Sequence, residues 1–142
     1  ETAAGVAGWI DRQNARVGMS GIPVVVMGDL NSFQARQPDG AQQVFYNHGF
    51  VDAFTATKRI NARYPTVNMT PVTRHFDGFP PGPHKYAGLA SRIDYILGKG
   101  GVVPLRHEVF LKLRPNGTFD NRYRGSDHNL VRAQLSVPVV AL

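Results

Sequence analysis

The stretch VVVMGDLNS, residues 24–32, joins an apolar run to a polar end. A continuous run of β-branched residues is typical of a buried strand that is covered on both faces. Such strands do not normally end in a carboxylate and an amide, yet Asp29 and Asn31 follow this one directly. One interpretation is a turn, in which Asp29 accepts hydrogen bonds from local amides or Asn31 caps the next segment. The other is a functional site at the end of the strand.

The remaining chain shows two helical patterns and three further strand patterns. The last strand alternates, with Val131, Ala133 and Leu135 on one face. The order of helix, strand, helix and then several strands predicts a layered α/β (α+β) fold. The predicted helices cover residues 2–18 and 41–49, and the predicted strands cover residues 22–30, 92–98, 102–113 and 130–137.

The composition is that of one globular domain of 142 residues, with 42% apolar and 18% charged side chains. No run of about 18 apolar residues occurs, so no transmembrane segment is predicted. The absence of cysteine excludes disulfides and thiolate metal sites but fits either redox compartment, so secretion from a bacterium stays open. The net charge of +6 suits a phosphate-bearing substrate or nucleic acid, although an ordinary basic surface explains it equally well.

Polar residues also mark two later strands. Asp94 lies within the otherwise apolar RIDYILG, and Asp127 and His128 precede the last strand in GSDHNLV. Carboxylates, an amide and an imidazole at strand ends can bind a hard cation such as Mg²⁺ and supply a proton-transfer group. Each motif alone has a simpler interpretation: Asp94 as the ion-pair partner of Arg92 or Arg132, and the Asp–His dipeptide as a surface pair. The three motifs together are more specific than any one of them.

In this order, VVVMGDLNS, SRIDYILG and GSDHNLV resemble the second half of the endonuclease/exonuclease/phosphatase superfamily, the fold of deoxyribonuclease I. The resemblance covers residues 24–135, and it makes the Pro-rich residues 64–90 a variable loop insertion on the substrate side. It implies that residues 1–142 form a single domain, the C-terminal half of a deoxyribonuclease I-like fold. That domain would be half of a four-layered α-β-β-α sandwich, with a mostly antiparallel or mixed sheet flanked by helices.

The resemblance also implies a role for each polar residue. Asp29 would orient or deprotonate the attacking water, and Asn31 would hold a phosphate oxygen or the metal. His128 would contact the scissile phosphate or transfer a proton, and Asp94 would hydrogen-bond that histidine. The implied catalytic residues are thus Asp29, Asn31, Asp94 and His128. The implied metal ligands are Asp127, Asp29 and Asn31, for Mg²⁺ or alternatively Mn²⁺ or Ca²⁺.

The chain departs from the superfamily in one respect: the first half and its metal-binding glutamate are absent. The only glutamates are Glu1 and Glu108, and neither lies in the superfamily's motif. We therefore expect a C-terminal fragment whose active site is incomplete and which is inactive alone. A half-sandwich would leave an apolar sheet face open, so we expect the missing N-terminal half, a second copy of the chain or rearranged segments to cover it.

The expected function is that of a metal-dependent phosphoester hydrolase of the nuclease or phosphodiesterase type. Nucleic acid is the leading expected substrate, because basic residues outnumber acidic ones in the chain. Two alternatives remain open. One is a non-catalytic remnant or binding module that retains the fold. The other is a phosphodiesterase for phospholipids or sphingolipids.

Overall fold

The structure is a computed structural model. It describes residues 2–16, 18, 21–32, 40–62, 64–67, 92–116, 120–123 and 125–139. Two helices and six strands make up these parts of the chain. In chain order they are α1 (Ala3–Arg16), β1 (Val24–Asp29), α2 (Ala41–Asn47), β2 (Val51–Asp52), β3 (Lys58–Ile60), β4 (Asp94–Lys99), β5 (Val103–Phe110) and β6 (Leu130–Ser136).

The strands form two three-stranded sheets, in the orders β1-β4-β2 and β3-β5-β6. All pairs are antiparallel except β3 with β5, which is parallel. The predicted α/β (α+β) class with a mixed sheet is therefore confirmed. Sequence patterns missed β2 and β3, because strands of two and three residues are too short to show an alternation.

The main core lies between the two helices and one face of the first sheet. Ala7 and Ile10 of α1 are buried there, as its helical pattern predicted. Phe45 of α2 meets Phe50 edge-to-face, with ring centroids 5.3 Å apart. The remaining buried members of this core are Tyr95 and Leu97 of β4.

The other face of β1 is open, so the prediction of a strand covered on both faces is wrong for this chain. Val24 and Val26 pack against the core, whereas Val25 and Met27 are 36% and 69% exposed. The reason is that β1 is an edge strand, and the helices cover only one of its faces. Val25 and Val51 both lie opposite Gly98 in the register, and the Val102 side chain packs over that glycine between them.

A buried polar seam fixes the start of β4. The Asp52 carboxylate accepts hydrogen bonds from the Phe54 amide at 2.8 Å and the Tyr46 hydroxyl at 2.7 Å, and it pairs with the Arg92 guanidinium at 2.9 Å. The guanidinium also lies over the rings of Phe54 and Tyr95, at 4.6 and 4.3 Å from their centroids. Two residues after this anchor, β4 begins.

The predicted Pro-rich loop over residues 64–90 lies mostly outside the described residues, which include only 64–67 of it. Within the described parts of the chain, neither helix has the length and apolar character that crossing a membrane requires.

Candidate active site

Two carboxylates face each other where β1 ends and β4 begins. Asp29 and Asp94 are direct partners in the antiparallel register. The Leu30 amide donates to the Ile93 carbonyl at 2.9 Å, so the preceding Asp29–Asp94 pair belongs to the closely spaced, non-hydrogen-bonded kind. Like charges directly opposite each other destabilise a sheet. The expected cost of this arrangement makes the strand end a candidate functional site.

His128 completes the cluster. Its Nδ1 lies 2.9 Å from one Asp94 oxygen and 3.2 Å from the other, although the two residues are 34 positions apart. The interpretation of Asp94 as the partner of an arginine is wrong, because Arg92 pairs with Asp52 and Arg132 pairs with Glu108. The carboxylate instead binds and orients an imidazole.

The surrounding charges favour the protonated form of His128. Burial by itself would lower its pKa, but the hydrogen bond that its ring donates to Asp94 and the charge of Asp94 raise it, and the charges of Asp29 and Asp127 add to that rise. The net effect is a pKa above the ordinary value. Nε2 has no hydrogen-bond partner among the described residues, so this end of the imidazole is available to a ligand.

Asp29 takes part in a turn as well. Its Oδ1 accepts a hydrogen bond from the Asn31 amide at 2.7 Å, which is the local capping that a Gly–Asp sequence after a strand predicts. The backbone of this turn explains why glycine and asparagine occur in it. Gly28 has φ of 148° and Asn31 has φ of 47°, and these positive values are adopted readily by glycine and more often by asparagine than by most other residues. The turn interpretation is therefore correct for one carboxylate oxygen, and the same bond fixes how the carboxylate is oriented.

Asp127 lies beside this cluster on an exposed turn. The Ser126 hydroxyl accepts from the His128 amide at 3.0 Å and donates to Asp127 at 3.4 Å. No hydrogen bond joins Asp127 to Asp29 or Asp94 in the described part of the chain. The structure thus brings Asp29, Asp94 and His128 together. Asn31 lies in the turn that follows Asp29, and Asp127 lies on the exposed turn that precedes His128.

The oxygen donors of Asp29, Asn31 and Asp127 suit a hard cation in chemical type. Across the residues that the structure describes, no three His, Cys, Asp or Glu side chains are grouped closely enough to hold a metal ion.

Sequence patterns missed three residues that support the cluster: Thr66, Ser126 and Asn129. Ser126 fixes the turn before His128, and Asn129 donates from its side chain to the Pro65 carbonyl at 2.8 Å. Thr66 contacts the start of β4 through its hydroxyl. The serine and asparagine flank the Asp127–His128 dipeptide within GSDHN, so their position offered a signal. Nothing in the sequence around Thr66 indicated its role.

A cavity of about 540 Å³ opens beside the cluster, and His128 forms part of its wall. Its other lining residues combine apolar and aromatic side chains with one cation and the Asp120 carboxylate. They include Phe110, Leu111, Lys112, Tyr123 and Leu130.

The sequence profile of the Endonuclease/Exonuclease/phosphatase family matches residues 7–128, which include every predicted site residue. Among curated proteins, none matches the chain. Solved structures show the same fold. An endonuclease/exonuclease/phosphatase from Bacteroides vulgatus is 21% identical with a TM-score of 0.58, over 96% of this chain and 44% of that one. A mannosyl-6-phosphatase from Bacteroides thetaiotaomicron is 21% identical with a TM-score of 0.56, over 94% of this chain and 45% of that one. The chain thus spans less than half the length of these structures.

Proposed function

The chain belongs to the endonuclease/exonuclease/phosphatase family, and on that premise we propose that it carries the Asp–His part of a phosphoester hydrolase site. The observation that carries the proposal is the convergence of Asp29, Asp94 and His128 at one strand end. In-line attack on phosphorus needs an oriented water, neutralised phosphoryl oxygens and a protonated leaving group. This cluster contains side chains of the types that those tasks require.

Each residue has a defined task in this proposal. Asp94 accepts a hydrogen bond from Nδ1 of His128, with 2.9 Å between nitrogen and oxygen. This bond orients the ring so that Nε2 faces the substrate. The imidazolium then binds a phosphoryl oxygen or protonates the leaving oxygen. Asp29, oriented by the Asn31 amide, holds the attacking water, and the Asn31 side chain donates to a phosphate oxygen.

We also propose dependence on a hard divalent cation, with Mg²⁺ preferred over Mn²⁺ and Ca²⁺. Asp127, Asp29 and Asn31 would hold it through oxygen atoms, together with ligands from outside the described residues. When bound, such an ion supplies positive charge to the phosphoryl oxygens. Because the described ligand set is incomplete, residues 1–142 alone are expected to turn over substrate slowly or not at all.

The cavity beside His128 is the proposed location of the substrate's organic group. Tyr123 and Phe110 give it exposed aromatic surface, and Lys112, which has no ion pair among the described residues, adds a positive charge. Aromatic rings next to cations suit a nucleotide, since bases stack and phosphates pair with lysine. The net charge of +6 also favours a polyanionic substrate.

The open face of the first sheet is the proposed contact with another polypeptide segment, either a longer chain's own or that of a second copy. Val25 and Val51 are partly exposed on either side of Gly98, and Met27 is exposed in a neighbouring row. Apolar side chains grouped in this way favour burial. Size-exclusion chromatography should show association or the chain should bind an apolar dye; a clean monomer that binds none would contradict this proposal.

Hydrolysis of bis(p-nitrophenyl) phosphate with Mg²⁺ tests the function in two forms of the protein. In the 142-residue chain we expect turnover near background. In a longer polypeptide that contains these residues we expect turnover that EDTA abolishes and that His128→Ala lowers by about 10³-fold. Absence of turnover in the longer form would refute a hydrolase, whereas strong turnover of the short form, lost in Asp127→Ala, would refute the incomplete site.

A further inference from the structure

The two members of the Asp94–His128 pair lie on different sheets. Asp94 begins β4 in the first sheet, and His128 immediately precedes β6 in the second. Among the described strands, no ladder of backbone hydrogen bonds joins β4 to β6. A hydrogen bond of 2.9 Å tolerates little movement, so some other contact must fix the two backbones relative to each other.

The Thr66 side chain holds the backbone on the Asp94 side. Its hydroxyl oxygen accepts hydrogen bonds from the amides of Ile93 at 2.9 Å and Asp94 at 3.1 Å. The residue is fully buried, with a relative exposure of 0%. Both lone pairs of the hydroxyl are therefore used on two consecutive amides at the point where β4 begins.

The backbone around Thr66 holds the His128 side. The Thr66 carbonyl accepts from the Asn129 amide at 2.7 Å, and the Pro65 carbonyl accepts from the Asn129 side chain at 2.8 Å. Val67 forms an isolated antiparallel bridge with His128. Residues 65–67 thus contact both halves of the pair, one through a side chain and the other through the main chain.

We propose that Thr66 is a positioning residue, which holds the Asp94 and His128 backbones at the separation that their side-chain hydrogen bond requires. Asn129 is the second part of this clamp. The inference rests on the proposed function only for its purpose, which is to orient the histidine for hydrolysis. The clamp itself is a matter of geometry.

Thr66→Val tests it, because valine keeps the shape and removes the acceptor for two buried amides. Thr66→Ser retains that acceptor. The readout is the Nδ1 proton of His128 in the NMR spectrum of the 142-residue chain at one fixed pH, since a proton hydrogen-bonded to a carboxylate resonates far downfield and exchanges slowly. We expect Thr66→Val to accelerate exchange of this proton about tenfold or more, and Thr66→Ser to stay within about twofold of wild type.

Two controls separate positioning from general loss of stability. His48 makes an equivalent bond to Asp11, at 2.7 Å, far from Thr66, so its Nδ1 proton should stay unchanged. Thr2→Val is the matched variant, because it also removes a hydroxyl that accepts from a backbone amide, here that of Gly5. It should leave His128 unaffected.

The outcomes are distinct. Equal effects on His128 and His48, or no effect on His128, overturn the proposal. If Thr66→Val does not fold, Asn129→Ala decides, because it removes one side-chain bond to Pro65: selective acceleration at His128 supports the clamp, and an unchanged signal refutes it. If the longer polypeptide hydrolyses no phosphoester while the 142-residue chain passes this NMR test, the proposed function is refuted and the clamp remains intact.

Discussion

A histidine–aspartate pair lies beside each end of β4, yet the two pairs differ in their surroundings. At the start of the strand, His128 binds Asp94 at 2.9 Å. At its far end, about 17 Å away at 3.3 Å per residue, Lys99 binds Asp11, which also binds His48 at 2.7 Å. The imidazole–carboxylate geometry is nearly the same at both ends.

Charge balance distinguishes them. The hydrogen bond from Lys99, and to a smaller extent that from His48, holds the pKa of Asp11 below its usual range. These two bonds also connect α1 to β4 and to the end of α2. Asp94 instead faces the carboxylate of Asp29 and, among the described residues, pairs only with His128. The comparison shows that a histidine–aspartate pair does not by itself mark a site. Asp94 differs from Asp11 in the excess negative charge that Asp29 adds beside an open cavity.

The largest expected difference between the two pairs is in catalysis. Asp94→Asn should lower kcat/KM for phosphodiester hydrolysis by about 10³-fold, because the amide no longer fixes the imidazole tautomer or stabilises its protonated form. Asp11→Asn should change it by less than about twofold. The assay compares both variants in the longest folded polypeptide that contains these residues. Similar losses in the two variants would remove the distinction.

A third histidine sharpens the comparison through pH. His107 is buried and has no carboxylate hydrogen-bond partner among the described residues, and burial followed by the charge of Arg92 lowers its pKa from 6.5 to about 4. The unfolded chain takes up this proton near pH 6.5 and the folded chain only near pH 4. The stabilising contribution of neutral His107 to the folded state is thus complete above pH 6.5 and is lost as the pH falls from 6.5 to about 4.

The free energy of unfolding should fall by at most about 3 kcal/mol between pH 6.5 and pH 4 as a result. Urea unfolding of the wild type and His107→Leu at pH 7 and pH 4.5 measures it. The variant should show a clearly smaller pH dependence than wild type. An equal dependence in both proteins would assign the slope to other groups.

The smallest effects concern stability, and here the order of the two pairs reverses. Asp11→Asn should lower the free energy of unfolding by about 1 kcal/mol, since its bonds to Lys99 and His48 are partly exposed. Asp94→Asn should leave it within about 0.5 kcal/mol or raise it slightly, because repulsion from Asp29 is relieved. Thermal and urea unfolding at pH 7 measure both. A larger loss for Asp94→Asn would make that pair structural too.

The sequence allowed the strand ends to be predicted because they combine two strong signals. Apolar periodicity located β1, β4 and β6 to within about two residues, and polar residues interrupted it at Asp29, Asp94 and Asp127. The sequence pattern wrongly predicted that both faces of β1 are covered. Residue type indicates that a strand is suited to burial but does not identify the element that buries it. It could not reveal Thr66, since a threonine within a Pro-rich segment has no local pattern that indicates a tertiary contact.

The sequence by itself determined the longer helices and strands, the fold class and the chemical types of the candidate site residues, because these depend on local periodicity and on short motifs. The family resemblance also implied the Asp94–His128 hydrogen bond, which the structure contains. Only the tertiary structure decided how the charges around that bond balance. Asp94 and Asp11 are indistinguishable as side chains, and their roles differ because folding placed a carboxylate opposite one and an ammonium beside the other. Charge balance of this kind arises between residues far apart in the chain, so no local pattern contains it.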